Sequence, residues 1–492
     1  MASVSVAHSH MSSADAAWLH MDRPTNLMVI NSVLLFDEPL DWDALTDVVR
    51  TRLVDAYPRF RERVVESRMA LGGPHWEPDA DFDIARHMHR RGLPDPGDET
   101  TLEALAGDLA SIPLDRDKPL WDMYLIDGPA PGCAVIVRMH HCIADGIALA
   151  QVMLSLTDPE TGTKLEEGRP QAPPYPRSKL RAAVDAPLAA AGDVLSSVVA
   201  PAVSVASMTS RLTRAVAHEG VEAIVEPRHA LELADRLAAD AQALAKLLFT
   251  PGDTPSVLKR DLGAARGVTW SKPLALEEVK AIAHAQGATV NDVLLAAVSG
   301  ALRGYLIARG EEPHEIRTMV PYNLRPAGEP VPRELGNRFG LVFLTLPVDR
   351  SSRRERLHEL KLRMDEIKHS PEGPVSYAVL EAVGLTPPAI ESRIVDIFTA
   401  KATAVMTNVP GPRETVYLAG TPLRAVLVWA PTAGSVGMSV SIFSYRGEVS
   451  VGLLVHARLV PDPQSIIVRL QRELAAMAKL APQAERSGQL GS

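Results

Sequence analysis

Apolar and polar residues alternate with two different periods near the start of the chain. Residues 31–36 (NSVLLF) form a mostly apolar run, which predicts a strand. In residues 41–58 the apolar positions recur three and four apart, which predicts an amphipathic helix. Asp41 is the expected N-cap of this helix, and Pro58 is its expected limit.

A hairpin is predicted downstream, after a second helix at residues 99–110. Residues 121–126 and 133–139 suit extended chain, and the Pro- and Gly-rich turn 127–132 lies between them. Because side chains alternate along a strand, the odd positions from 133 to 139 share one face and the even positions share the other. A third helix is predicted over residues 147–156.

The composition changes near residue 158. Residues 158–179 are rich in Pro, Gly and charge, which predicts a linker or exposed loop. Residues 180–250 are rich in Ala, Leu and Val and have a mostly helical pattern. Within them, the apolar segment 184–208 has two interpretations: helices that pack against the rest of the protein, or a segment that lies on a membrane surface.

The second half of the chain again mixes the two patterns. Two helices are predicted that end at Gly287 and Gly310. The remaining predicted elements are five strands at 316–323, 341–348, 402–409, 437–445 and 449–456, and two helices at 351–368 and 463–479.

These elements predict a mixed α/β protein. A chain of 492 residues is too long for one ordinary core, so two domains are expected. We place their limits at 1–157 for the N-terminal half, 158–266 for a linker and helical crossover, 267–480 for the C-terminal half, and 481–492 for a tail.

Composition narrows the class of protein. The chain is 46% hydrophobic and 23% charged, with a formal net charge of −9, and it has no basic stripe, which argues against nucleic-acid binding. Two cysteines cannot form a disulfide framework, so a reducing cytoplasm is expected. Neither a signal peptide nor an uninterrupted membrane-spanning run is found in the sequence.

The candidate chemistry lies at residues 140–146 (HHCIADG), directly after a predicted strand. A histidine at this position could act as a general base near neutral pH, and Asp145 could cap the next helix or pair with a cation. Gly146 is expected to allow a close turn. A metal site would need more ligands than this motif supplies, and Cys142 is an alternative nucleophile. Simple packing of the histidine pair also remains open.

The motif HHCIADG resembles the HHxxxDG signature of CoA-dependent acyltransferases. From about residue 12 to 479 the chain also resembles the bacterial wax ester synthase/acyl-CoA:diacylglycerol acyltransferase family, most weakly over 158–260. The resemblance rests on blocks in family order: ADAAWLHMDRPTNLMVI, PLW at 119–121, Asn-Asp at 291–292, VPYNLRP, GNRFG and TNVPGPRETVYLAG. Two departures are Thr407, where the family usually has serine, and Tyr322-Asn323, where smaller residues are commoner.

This resemblance implies a two-domain, chloramphenicol acetyltransferase-like fold with mixed sheets flanked by helices and a reaction centre between the halves. His141 would be the base that takes a proton from the acceptor hydroxyl, and His140 would pack or orient. Asp145 would support the loop through an ion pair, with Arg138 or a distant arginine. The donor would be acyl-CoA, used as a substrate with no further cofactor or metal. The acceptor would be diacylglycerol or a long-chain alcohol.

Several polar residues are candidates for contact with substrate or with the oxyanion. Asn291 and Asp292 lie in the first turn of a predicted helix, which Thr289 and Asp292 could cap. Thr407 and Asn408 follow at the end of a predicted strand, and Trp121 is either a core residue or a substrate contact.

Two other functions compete with an acyl-CoA:alcohol acyltransferase. One is a condensation-type acyltransferase whose donor is attached to a carrier protein, and the other is a non-catalytic lipid-droplet binding protein. An intact HHxxxDG motif argues against a pure binder, which has no need of a base. Apolar substrates predict a cytoplasmic protein that is peripheral on the inner membrane or on lipid droplets.

Overall fold

Helices and strands alternate along the computed structural model, which describes residues 9–67, 73–128, 132–159, 240, 242–325, 335–368, 370–386 and 388–479. The helices are α1 (Ser13–His20), α2 (Trp42–Val49), α3 (Glu99–Ala110), α4 (Gly146–Ser155), α5 (Leu276–Ala285), α6 (Val290–Ala308), α7 (Arg353–Lys368), α8 (Glu372–Val383), α9 (Pro388–Thr399) and α10 (Gln464–Ala478). Residues 242–249 are also helical. The predicted segment 184–208, the linker from residue 160 onward and the tail 481–492 lie outside the described residues.

The strands form three sheets. They are β1 (Ser9–His10), β2 (Val29–Phe36), β3 (Glu62–Val65), β4 (His75–Pro78), β5 (Met88–Gly92), β6 (Trp121–Asp127), β7 (Cys133–His140), β8 (Thr157–Asp158), β9 (Arg266–Trp270), β10 (Leu274–Ala275), β11 (Ile316–Asn323), β12 (Phe339–Leu346), β13 (Ala404–Pro410), β14 (Tyr417–Leu418), β15 (Thr421–Trp429), β16 (Met438–Tyr445) and β17 (Glu448–His456). The small sheet has the order β1-β4-β3.

The protein has two lobes, which we call the N-lobe and the C-lobe. Each lobe is built on one seven-stranded sheet. The N-lobe sheet has the order β5-β6-β7-β2-β15-β14-β8, and β6 and β7 form the predicted antiparallel hairpin. The C-lobe sheet has the order β10-β17-β16-β13-β11-β12, with β9 also paired to β17. Helices flank both sheets, so the predicted mixed α/β class is confirmed.

Strand β15 crosses between the halves of the chain. Its residues pair antiparallel with β2, from Leu423 opposite Phe36 to Trp429 opposite Asn31. The predicted domain limits at residues 157 and 267 divide the chain by sequence position. Strands β14 and β15 come after residue 267 but belong to the N-lobe sheet. Both halves of the chain therefore contribute strands to the N-lobe sheet.

The core lies on both faces of the N-lobe sheet. The odd positions of β7 from Cys133 to Met139 pack in one hydrophobic cluster, while Ala134 and Ile136 pack in another, as the alternation predicts. The second cluster also contains Trp270 and Leu454 of the C-lobe. A core that spans both lobes fixes their relative position.

The predicted helix caps and helix-terminating glycines were confirmed, because they depend on residues close in the sequence. Asp41 caps α2, and Thr289 and Asp292 form a capping box at the start of α6. Gly287 and Gly310 have positive φ values of 59° and 75° beyond the ends of α5 and α6, as expected of helix-terminating glycines. The pattern did not predict α8 and α9, because Gly and Pro residues interrupt this part of the sequence.

One described helix, α6, is long and apolar enough to cross a membrane by length and composition alone. However, 72% of that stretch is buried inside the protein. Its residues pack in the core of the C-lobe, which is typical of a central helix in a globular protein.

Candidate active site

The HHxxxDG motif connects a buried strand to a helix at the junction of the lobes. Strand β7 ends at His140, residues 141–145 form a turn, and α4 begins at Gly146. All eight residues of β7 are buried. The motif therefore has a rigid support on its N-terminal side and a helix start on its C-terminal side.

The His141 ring is enclosed by aromatic side chains from two other segments. His141 is 5% exposed, and its ring stacks on Trp18 of α1 with the centroids 4.1 Å apart. Phe339 of the C-lobe lies 5.5 Å from the same ring. The His141 backbone N–H donates to the Met28 carbonyl at 2.7 Å, and the His141 carbonyl accepts from the Asn337 amide at 2.8 Å.

Burial sets the protonation state of this histidine. Desolvation lowers the pKa of His141 to about 4, and the nearby Asp145 carboxylate opposes the shift only in part. The imidazole is therefore neutral at neutral pH, which leaves one ring nitrogen able to accept a proton. Its Nδ1 atom is buried and makes no hydrogen bond to another described residue.

His140 and Cys142 belong to the internal structure of the turn. The His140 Nδ1 atom accepts a hydrogen bond from the Cys142 backbone N–H at 3.1 Å, and its Nε2 atom lies 3.8 Å from the Asp22 carboxylate. Burial raises the pKa of the Cys142 thiol well above its usual value, so Cys142 is not a thiolate at neutral pH. This argues against Cys142 as a nucleophile.

Asp145 links the turn to α4 and to the C-lobe. It is the N-cap of α4, and its carboxylate pairs with Arg325 at 2.9 Å. The Arg338 backbone N–H donates to the same carboxylate at 3.0 Å. Arg138 instead lies 3.5 Å from Asp122. Of the two cations left open by the sequence, the partner is thus the distant arginine.

An apolar cavity lies beside the motif, along one side of α4. It is lined by residues that include Met139, Gly146, Ala150, Met153 and Phe443, and His141 is not among them. A Cβ atom added to Gly146 would meet nothing within 4 Å. The φ of Gly146 is not positive, so this glycine is not required for a tight turn, contrary to what the sequence had suggested. Its missing side chain instead leaves open space at the start of α4.

Two of the oxyanion candidates are brought together. The Asn408 side-chain amide donates to Oδ1 of Asn291 at 2.9 Å. Strands β11 and β13 are parallel, and the chain leaving β11 reaches Asp145 through Arg325. Asn408, near the carboxyl end of β13, therefore lies on the edge of the C-lobe sheet that faces the motif.

The other candidates have clear structural contacts. Asp292 is buried and belongs to the capping box of α6. Thr407 is half-buried and lies within β13, which ends at Pro410, one residue later than predicted. Trp121 is fully buried, donates its indole N–H to the Phe60 carbonyl at 2.8 Å and stacks on His87, which makes it a core residue of the N-lobe.

Local sequence patterns did not predict the residues that surround His141 and Asp145. Trp18, Asn337 and Phe339 contact His141, and Arg325 pairs with Asp145. A signal for them was available, because Trp18 lies in the opening block, Arg325 in VPYNLRP, and the other two in GNRFG. Among the described residues, no group of three or more His, Cys, Asp or Glu side chains is arranged to hold a metal.

The chain is similar to several mycobacterial proteins. The chain is 28% identical to a putative diacylglycerol O-acyltransferase of Mycobacterium tuberculosis (strain CDC 1551 / Oshkosh), over 93% of this chain and 87% of that protein. It is 26% identical to a probable diacylglycerol O-acyltransferase of M. tuberculosis (strain ATCC 25618 / H37Rv), over 96% of each chain.

Solved structures share the fold. A wax ester synthase/diacylglycerol acyltransferase from Marinobacter aquaeolei VT8 superimposes with a TM-score of 0.65 at 21% identity, covering 96% of this chain and 99% of that one. The first condensation domain of the calcium-dependent antibiotic synthetase gives a TM-score of 0.56 at 16% identity, covering 97% of each chain. The two-domain CoA-dependent acyltransferase fold expected from the resemblance is thereby confirmed.

Family models cover most of the chain. The wax ester synthase/diacylglycerol acyltransferase catalytic domain matches residues 11–294, and the C-terminal domain of the same family matches residues 335–478. The first match spans the HHxxxDG motif, and the second includes Asn337 and Phe339, which contact His141 from the C-lobe. The chain therefore belongs to the wax ester synthase/diacylglycerol acyltransferase family and is an acyltransferase.

Proposed function

We propose that this enzyme transfers a long-chain acyl group from acyl-CoA to the hydroxyl of diacylglycerol, and also to long-chain alcohols, with His141 as the general base. The observation that carries the proposal is a neutral, buried histidine at the junction of the lobes, in a motif whose Gly146 lines an apolar cavity. A neutral imidazole supplies the proton acceptor, and a cavity of this character suits an alkyl chain.

In this proposal a ring nitrogen of His141 accepts the hydroxyl proton as the acceptor oxygen attacks the thioester carbonyl. The tetrahedral intermediate then collapses, the C–S bond breaks, and the thiolate takes the proton from the imidazolium. The products are an ester and free CoA, and no acyl-enzyme forms. One residue thus acts as base and then as acid.

The low pKa of His141 has to be overcome during the reaction. The pKa is low because a buried imidazolium loses its hydration, so an uncompensated proton transfer would be costly. Negative charge on the intermediate, together with the Asp145 carboxylate, would stabilise the imidazolium in the transition state. The base would then be strongest when the substrate reacts, which favours the transition state over the ground state.

The oxyanion needs a hydrogen-bond donor, and the amide pair of Asn291 and Asn408 is our candidate. Both lie at the edge of the C-lobe sheet that faces the motif, and each holds the other in position. Thr407 is the neighbouring alternative. Preorganised donors of this kind contribute roughly 3–4 kcal/mol when they are well placed.

We also propose that the protein is cytoplasmic and peripheral on the inner membrane or on lipid droplets. Its expected acceptor resides in lipid, and the side chains of Phe249 and Leu385, each 80% exposed, are available to contact a lipid surface. Co-flotation of the purified protein with phospholipid vesicles, compared with a Phe249→Ser/Leu385→Ser variant, tests this association.

The central experiment combines purified protein, palmitoyl-CoA and either dioleoylglycerol or hexadecanol, and measures both thiol release and ester formation. His141→Gln should reduce kcat by about 10²- to 10⁴-fold, because the proton acceptor is lost. His87→Gln is the matched control, since His87 is also buried but its ring stacks on Trp121 rather than on the residues around His141.

Three results would contradict the proposal. Equal thiol release by the His141→Gln variant would exclude His141 as the base. Transfer only from an acyl carrier protein would favour the condensation-type alternative. Binding of lipid with no turnover of any donor would favour the non-catalytic alternative.

A further inference from the structure

Two short segments from different lobes present matched pairs of residues to His141. In α1, Asp15 and Trp18 are three residues apart and therefore lie on the same side of the helix. At the start of β12, Asn337 and Phe339 are two residues apart in the sequence. We refer to Asp15, Trp18, Asn337 and Phe339 as the His141 clamp.

The polar pair of the clamp holds the backbone of His141. The Asn337 side-chain N–H groups donate to Oδ1 of Asp15 at 2.7 Å and to the His141 carbonyl at 2.8 Å. The Asn337 backbone N–H donates to the same Asp15 oxygen at 2.9 Å. Asp15 and Asn337 are each 5% exposed, so water does not compete freely for these bonds.

The aromatic pair of the clamp holds the ring. Trp18 stacks on the imidazole with an interplanar angle of 25°, and Phe339 lies against both rings, 5.6 Å from Trp18. The one carboxylate in the clamp is Asp15. Its burial is compensated mainly by the bonds from Asn337, since desolvation raises its pKa and Asn337 opposes that rise.

We propose that Asp15 is a positioning residue for the reaction: through Asn337 it fixes the peptide plane of His141, and thereby the direction of the imidazole. This rests on the proposed role of His141 as the base. Since the His141 N–H is already tied to Met28, the carbonyl bond from Asn337 fixes the remaining freedom of that residue. Asp15 does not contact substrate, so it acts on the rate through orientation alone.

The test uses three variants: Asp15→Asn, Asn337→Asp, and the double variant that exchanges the two side chains. Asp15→Asn should lower kcat by about 10- to 100-fold with KM for acyl-CoA changed by less than about twofold, because a small misplacement of a catalytic group is costly. Asn337→Asp places two carboxylates together and should lower both Tm and kcat.

The double variant separates positioning from stability. In that protein the amide at position 15 can donate to the carboxylate at position 337, which restores the contact between the lobes. A carboxylate, however, has no proton to donate to the His141 carbonyl. Tm should therefore recover while kcat stays low. Recovery of kcat together with Tm would overturn the proposal, because Asp15 and Asn337 would then serve stability alone.

Asp253→Asn is the matched control. Asp253 is a half-buried carboxylate that accepts from the Arg317 N–H at 3.0 Å and from the Thr403 hydroxyl at 2.6 Å, at the opposite end of β11 from Arg325. The Asp253→Asn variant should have a lower Tm than wild type and an unchanged kcat. If His141→Gln abolishes turnover while Asp15→Asn keeps it, the clamp proposal alone fails. If His141→Gln keeps turnover, the proposed base fails first.

Discussion

Burial decides the chemistry of the individual residues in the motif. The same low-dielectric environment lowers the pKa of His141 and raises that of Cys142, so both side chains are neutral at neutral pH. A neutral imidazole is a base, whereas a neutral thiol is a poor nucleophile. Two adjacent residues, each a reasonable candidate on its residue type, are thus separated by one physical effect.

This environment predicts the pH dependence of the reaction. Only neutral His141 can accept a proton, so kcat/KM should fall as the pH drops through its pKa of about 4. The rate should be nearly constant from neutral pH down to about pH 5. In the Trp18→Ala variant, water should reach the His141 ring, and the acid limb of the pH–rate profile should move up towards 6.5, the ordinary pKa of histidine. In the Trp18→Phe variant, the ring should stay buried and the acid limb should stay near pH 4.

The measurement is a pH–rate profile for wild type and both Trp18 variants. Samples returned to neutral pH should regain full activity, which excludes irreversible unfolding as the cause of the acid limb. A wild-type limb near 6.5 would show that burial does not depress the pKa of the working base.

At the scale of elements, α4 has two apolar sides: one packs in the hydrophobic core and the other lines the cavity. Ala148 and Val152 pack in the hydrophobic core, whereas Ala150 and Met153 line the cavity. A helix at the surface of a soluble protein normally has a polar side opposite its core side. An apolar side that faces open space is what binding of an alkyl chain requires.

A larger side chain on that side should shorten the preferred chain. Ala150→Phe would fill part of the cavity, so the optimum in one substrate, acyl-CoA or alcohol, should move to fewer carbons. Each excluded methylene changes selectivity by roughly 1–3 kcal/mol. A chain-length series in each substrate measures the shift and identifies which chain enters the cavity.

Gln151→Phe is the control for this series. It introduces the same side chain on the same helix at a residue that does not line the cavity. It should leave both chain-length profiles unchanged. Profiles that are unchanged for Ala150→Phe as well would mean that neither alkyl chain occupies this cavity.

At the scale of the whole molecule, the lobes depend on each other. Strand β15 completes the N-lobe sheet, and Arg325 of the C-lobe pairs with Asp145 in the motif. Buried Arg266 at the start of β9 also donates to the Thr25 carbonyl, in the chain that leads into β2. Residues of both lobes therefore hold the turn of the motif in place.

Residues 1–294, which contain the whole match to the catalytic domain, should not fold alone. They lack β15, so the β2 edge is unpaired, and the shared core loses Trp429 and Leu454. We expect rapid proteolysis and no cooperative melting for this fragment. Co-expression with residues 295–492, which supply the rest of α6 together with β11 and β15, should restore protease resistance. A cooperative transition in the isolated fragment would contradict the expectation.

Some features of this protein followed from the sequence alone because they depend on residues close in the chain. Helix α3 has the predicted bounds, the faces of β7 follow their alternation, and the capping box at Thr289 and Asp292 involves residues three apart. The HHxxxDG motif also gave the family and the fold, since it occurs with other blocks in the family order.

Only the tertiary structure decided which residues surround the motif. Asp145 pairs with Arg325, 180 residues away, and Asn337 reaches both His141 and Asp15. The sequence around Trp121 did not indicate whether this residue packs in the core or contacts substrate. No local pattern encodes such contacts, because periodicity and capping record only neighbours within a few residues. Contacts between distant segments arise when the two lobes pack together, and that packing depends on the whole chain.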